Sequence, residues 1–320
     1  MKNSEKMRVA DSHCDFLYKY SGYSRNSEHS GAVEFDVTRR SLEEGGVRLQ
    51  VLAAFANFNR LGKATGGAYR KQAEDFPAAC RALGLAPIAD LGQLSKYEQE
   101  EKEGKEEKYA LLAVEGCEAF SGSLERAKEF IDIGAKLLAL TWNHENELAF
   151  PHMMAGGIKP FGRKVIGILN ERKCAVDVSH LSEEGFWQVV DNARGVCASH
   201  SCCRALCDHS RNLSDKQIKA IIAKGGYIGV NFYPPFLREG GRAQMKDIAA
   251  HVLHIINLGG ENNVGFGSDF DGIDKKTEGM ESPAGFPALI KALEDTGMDE
   301  GILRKTAYSN FAGFLQRISI

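Results

Sequence analysis

Val176-Asp177-Val178-Ser179-His180 is answered further along the chain by Cys197-Ala198-Ser199-His200. Each is a short apolar run that closes on a histidine, the pattern of a strand buried in a parallel sheet. Between His180 and His200 there is room for one helix, expected over 182–192. A β-α-β unit of this kind sets two neighbouring strands parallel, so both histidines arrive at the same end of the sheet. Neutral imidazole is the commonest protein ligand for metals, and the shared rim therefore reads as a metal site.

The alternation extends in both directions. Strands are expected at 7–13, 47–56, 109–114 and 136–141 before the pair, and at 227–232 and 264–268 after it. Helices are expected at 38–44, 123–133, 161–173, 215–224 and 243–257, with 286–295 and 299–317 closing the chain. Gly45-Gly46, Gly225-Gly226 and Gly259-Gly260 stop three of these helices, and Ser214 is a natural N-cap. Residues 18–36, rich in Ser, Gly, Asn and Arg, read as a loop over the rim. An excursion at about 57–108 carries helices at 68–83 and 91–105, with the charged run 98–108 as a solvated face. Eight strand-helix alternations with no composition break and no internal repeat predict one domain over 1–320. Its fold is an α/β (β/α)8 TIM-type barrel, usually about 250 residues plus insertions.

Composition narrows the function classes. A hydrophobic fraction of 43% supports a large core, and a net charge of -3 gives no electrostatic footprint for nucleic acid or an anionic membrane. The eight cysteines are too sparse for a disulfide scaffold and several lie in apolar runs, which suits a reducing cytosol and predicts a cytoplasmic protein. Residues 1–8 are polar, so no signal peptide is expected, and no apolar run is long enough to span a membrane.

Five predicted strands end on residues suited to a divalent metal. They are His13 with Asp15, then Glu115, His180, His200 and Asp269. In barrel enzymes the active site lies at this carboxyl-terminal rim. Three histidines and two carboxylates exceed what one tetrahedral zinc needs, so they divide into two sites, with Glu115 and a water or hydroxide bridging two Zn2+ ions. His13 and Asp15 complete one metal, and His180 and His200 complete the other. Such a pair acidifies the shared water to a hydroxide that attacks a polarised carbonyl. Asp269 is placed to carry a proton to the leaving amine. Arg211 and Asn212, just beyond the sixth strand, are placed to hold a substrate carboxylate. Trp142, His144 and Tyr233 are further candidates for substrate contact at the rim. His29, His152, His209, His251 and His254 read as loop or helix residues, Asp271 as a turn residue before Gly272, and Met153-Met154 as loop packing. Cys202, Cys203 and Cys207 fit no zinc-thiolate spacing.

These segments resemble the membrane (renal, or microsomal) dipeptidase family of zinc metallopeptidases, in its soluble bacterial form. The likeness runs along nearly the whole chain. It is carried by Asp11-Ser12-His13-Cys14-Asp15, Val114-Glu115-Gly116, Leu140-Thr141-Trp142-Asn143 and Pro160-Phe161-Gly162-Arg163. Asp177-Val178-Ser179-His180-Leu181-Ser182, Ser199-His200-Ser201, Arg211-Asn212-Leu213, Gly229-Val230-Asn231-Phe232 and Gly267-Ser268-Asp269-Phe270-Asp271-Gly272 complete it. The resemblance implies a homodimeric two-zinc barrel of the metallo-dependent hydrolase-like kind that cleaves dipeptides, L-L and also L-D, some members opening carbapenem-type β-lactam rings. It implies His13, Asp15 and Glu115 on one zinc, and Glu115, His180 and His200 on the other. Asp269 would then transfer the proton and Arg211 grip the substrate carboxylate. One departure stands out: mammalian members carry a substrate-binding histidine just after the fourth strand, where this chain has Trp142, with His144 two residues on. The rival readings are a β-lactam-opening or other metal-dependent amidohydrolase, and a catalytically silent zinc-stabilised barrel.

Overall fold

The computed structural model describes residues 7–23, 33–62, 65–93 and 107–320. Among the described residues, nine parallel strands form one sheet: β1 Val9–Asp11, β2 Val47–Phe55, β3 Ala86–Ile88, β4 Tyr109–Glu115, β5 Ala135–Ala139, β6 Ala175–Asp177, β7 Gly195–Ala198, β8 Tyr227–Val230 and β9 Val264–Phe266. Pairing of β2 with both β1 and β4 closes eight of them into a barrel. The ninth, β3, was not anticipated. It lies along the start of β4, beside Tyr109–Leu111, below the point where β5 begins to pair at Leu112.

Strand periodicity builds two cores. On β4, Tyr109, Leu111 and Ala113 face the barrel interior, while Ala110, Leu112 and Val114 pack outward against the helices. Glu115 continues the inward series at the top of the same strand. The interior floor is closed by the last helix, Asn310–Ser319, whose Phe311 and Phe314 rings lie 4.7 and 6.1 Å from the Tyr227 ring.

The helices begin where capping chemistry puts them. Thr38, Ser123, Ser182 and Ser214 each accept a hydrogen bond from a backbone N–H three residues on. Gly46 ends the first of these helices with φ +71°, a left-handed turn that suits glycine. The expected helix at 299–317 is not uniform: residues Lys305–Ser309 form a π-helical turn between Glu300–Arg304 and Asn310–Ser319. The expected helix at 91–105 begins as the 3-10 turn Leu91–Gln93; the remainder of it, most of the charged run 98–108, and the middle of the loop 18–36 with His29 lie outside the described residues.

One boundary matters for the chemistry. β1, β6, β7 and β9 end at Asp11, Asp177, Ala198 and Phe266, so His13, His180, His200 and Asp269 sit two or three residues beyond their strands. His180 and Asp269 have φ of +67° and +64°, left-handed conformations that cost a non-glycine residue about 1–2 kcal/mol. Residues held this way cluster at functional sites, and here the conformation belongs to two of the rim residues.

Candidate metal centre and active site

Glu115, on the inward face of β4, stands at the middle of the rim. Its Oε2 lies 3.5 Å from His13 Nε2, and its Oε1 lies 2.8 Å from His180 Nε2 and 3.3 Å from His200 Nε2. His180 and His200 bring their Nε2 atoms within 3.0 Å of each other, and the His13 and His200 rings stack at 3.8 Å. Asp15 Oδ1 and Asp269 Oδ1 approach His13 Nε2 from the other side, at 3.7 and 3.9 Å. All six of these side chains come together. His13 Nε2 and Asp15 Oδ1 are buried without a hydrogen-bond partner among the described residues.

A second layer fixes which nitrogen faces inward. Asp177 accepts hydrogen bonds from the backbone N–H of Ser179 (3.0 Å) and of Ser199 (2.9 Å), and from the Ser199 hydroxyl. That hydroxyl, its proton committed to Asp177, accepts from His200 Nδ1 at 2.7 Å. His180 Nδ1 donates to Asn143 Oδ1 at 2.8 Å. Both imidazoles are thereby protonated on Nδ1 and present the Nε2 lone pair to Glu115, the tautomer a metal ligand needs. Two lone pairs 3.0 Å apart beside a carboxylate call for a cation between them.

Electrostatics follow from the geometry. Burial lowers the His180 imidazole, with Arg211 adding to it, to about 4, and burial together with His13 holds His200 well below its usual range. Burial alone would lower His13, but the Glu115, Asp15 and Asp269 carboxylates override it and push it up to about 10. Burial and the Glu115 charge raise Asp15 well above the carboxylate range. Burial opposes ionisation of Glu115 too, yet the charge of the neighbouring His13 imidazole outweighs it and holds the carboxyl well below its usual value. Asp269 is raised to about 6 by burial, with Glu115 adding to the shift; Asn231 Nδ2, donating to its Oδ2 at 3.0 Å, favours the charged form.

The remaining predicted residues separate. Arg211 is buried beside the centre, donating to Ser201 Oγ (2.9 Å) and to His200 O (3.1 Å). Asn212 instead spends both amide hydrogens on the carbonyls of Cys207 and Phe236, and acts as a tie between two loops. Trp142 lines the rim, its ring 6.4 Å from His180 and 4.9 Å from Phe55. His144 turns away: it lies against Phe58 and has its Nε2 3.1 Å from Glu118 Oε1. Tyr233 caps the turn Pro234–Leu237 and packs on Phe236, near the mouth of β8. Asp271 is a buried turn residue that accepts from the backbone N–H of Asp36 and Val37 and pairs with Lys19 at 2.8 Å, tying these residues to the segment after β9. Met153 and Met154 are exposed rather than packed, and the eight cysteines are all buried free thiols.

His152 is the rim residue that sequence reasoning passed over. Its ring lies 6.3 Å from that of His180, and it lines a cavity of about 290 Å3 with His180, Ser210 and Arg211. No local signal marks it. It is placed by a long-range bridge between Pro151 and Leu181.

A closed parallel barrel with a buried histidine–carboxylate cluster at its carboxyl rim is the architecture of a metal-dependent hydrolase. The family model for membrane dipeptidases, peptidase family M19, matches residues 3–318, and the chain belongs to that family of metallo-dipeptidases. Among relatives, an uncharacterized protein in the pqqA 5' region of Klebsiella pneumoniae is 34% identical over 218 residues, 64% of this chain and 80% of that protein. An uncharacterized dipeptidase of Schizosaccharomyces pombe is 35% identical over 58% of this chain and 47% of its own length. The chain thus spans most of the bacterial relative and about half of the fungal one. Among solved structures, a metallopeptidase of family M19 described as dipeptidase AC superposes with a TM-score of 0.87 and 26% identity, covering 98% of this chain and 99% of that one. A Rhodobacter sphaeroides metallopeptidase, bound to a phosphinate mimic of L-Ala-D-Ala, shares the fold with a TM-score of 0.87, 24% identity and the same coverage.

Proposed function

We propose that this chain is a binuclear zinc dipeptidase that hydrolyses L-L and L-D dipeptides. The observation that carries the reading is the split carboxylate of Glu115, one oxygen turned to His13 and the other to His180 and His200. His13, Asp15 and Glu115 would hold one zinc, and Glu115, His180 and His200 the other. The donor set fits: inward Nε2 lone pairs, a bridging carboxylate, and two buried polar atoms left without protein partners among the described residues. Zinc bound there supplies a water acidified towards neutrality and a Lewis acid for the peptide carbonyl.

The chain's own residues do the rest. Asp269, ionised near neutral pH and held by Asn231, takes a proton from water and returns it to the leaving nitrogen. Arg211 grips the terminal carboxylate, which restricts the substrate to peptides with a free C-terminus. The Asp177 network holds the two histidines in their working tautomer. The L-D capacity is inferred from the family and from the phosphinate ligand of the Rhodobacter sphaeroides protein.

A second assignment has its own observation. Asp269 lies about as close to His13 as Asp15 does, and His13, Asp15 and Asp269 together form a group able to hold a metal. Asp269 would then be a ligand rather than a proton carrier. A panel of L-L and L-D dipeptides, assayed with and without chelator, tests the activity. Chelator-sensitive release of both amino acids is expected, and release unaffected by chelator contradicts it.

A further inference from the structure

We infer that His152 is a substrate-contacting residue that completes, with Arg211, the subsite for the dipeptide's C-terminal carboxylate. This rests on the dipeptidase reading and adds to it a residue and a selectivity. Three contacts fix the imidazole. Its backbone N–H donates to His180 O at 2.7 Å, its Nδ1 lies 2.8 Å from Ser210 Oγ, and its ring meets the His209 ring at 6.1 Å. In the bound state we infer, Nδ1 accepts from the Ser210 hydroxyl, so the ring proton sits on Nε2, which has no protein partner among the described residues.

The surroundings define what that donor meets. His152 stands between His180, at the metal centre, and the loop that carries Ser210 and Arg211, and all four line the same cavity. Arg211 uses one hydrogen of each terminal nitrogen on the protein, so most of its five donors remain for a ligand. Arg204 lines the cavity as well. A planar anion held by a guanidinium has lone pairs left for a further neutral donor, and His152, lining the same cavity as Arg211, is the imidazole to supply it. Neither Trp142, on another side of His180, nor His144, turned to Glu118, is tied to the arginine's loop.

The test compares the metal-loaded wild type with His152→Ala and His152→Gln. The substrates are a dipeptide and its C-terminal amide. Calorimetry with a non-hydrolysable phosphinate dipeptide, as free acid and as amide, gives a second readout. For the free acid, His152→Ala is expected to lose on the order of 10- to 100-fold in kcat/KM and in phosphinate affinity, the contribution of a hydrogen bond to a charged group. The amide, already lacking the charge, should change little, and His152→Gln, which keeps a donor, should recover part of the loss. Acid and amide falling by the same factor would mean that the ring only packs against His180 and would overturn the inference. Turnover with the acid preference untouched in both variants would also overturn it, leaving the dipeptidase reading intact. No turnover of any dipeptide by the metal-loaded wild type would sink both.

Discussion

Asp269 joins two properties in one residue: a left-handed backbone that aims its carboxylate over the rim, and a buried setting that lifts its pKa to about 6. A group that must be ionised to take a proton loses its function as pH falls through its pKa, so kcat/KM should decline on the acid side near or below pH 6. Cations beside the carboxylate favour its charged form and move the decline downward. Asp269→Asn should retain its metal and lose on the order of 10²–10⁴ in kcat, the usual contribution of a general acid–base. Metal content and steady-state rates on the same sample check this, and loss of metal in that variant would make Asp269 a ligand. Asp177 acts one layer out. Asp177→Ala strips an acceptor from two backbone N–H groups and a hydroxyl, each costing about 1–3 kcal/mol when left buried and unpaired. A lower melting temperature is expected, together with a 10- to 100-fold weaker zinc affinity, the usual effect of removing a residue that orients a ligand.

At the scale of the strands, glycine sets how closely the rim can pack. The inward face of β8 and the end of β9 carry Gly229 and Gly267, and a Cβ on either would fall 2.1 or 1.8 Å from the Ser199 carbonyl oxygen. That carbonyl also accepts from Ser12 Oγ at 2.6 Å, so β1 and β7 are tied across the place the glycines leave open. Gly267→Ala should cost about 3 kcal/mol or more, the upper range for overpacking, read from chemical denaturation. The barrel is legible in the sequence because eight apolar runs alternate with capped helices. Strand ends are not, since Ser12-His13 and Ser179-His180 continue the alternation past the regular strands, which end at Asp11 and Asp177. Ala86–Ile88 is too short and too proline-broken to announce a strand. Asn212 and His152 show the limit for site residues: one has its amide hydrogens taken by the carbonyls of Cys207 and Phe236, and the other reaches the rim through a bridge to residue 181. Neither arrangement leaves a local pattern.

Over the whole molecule, the barrel gathers ligands that lie far apart in the chain, from His13 to Asp269, onto one rim and buries them there. Charges so buried are costly unless paired, and the cluster sets three histidines against three carboxylates. Metal binding to the folded site should therefore stabilise the fold, by an amount that grows with free zinc concentration. The most direct measurement is metal stoichiometry against activity: chelated protein is titrated with zinc while dipeptide hydrolysis and bound zinc per chain are followed together, in the wild type and in Glu115→Gln. Two zinc ions per chain at full activity are expected, with both sites weakened by the single substitution at the shared carboxylate. Full activity at one ion per chain, or with none, would contradict a metal pair bridged by Glu115.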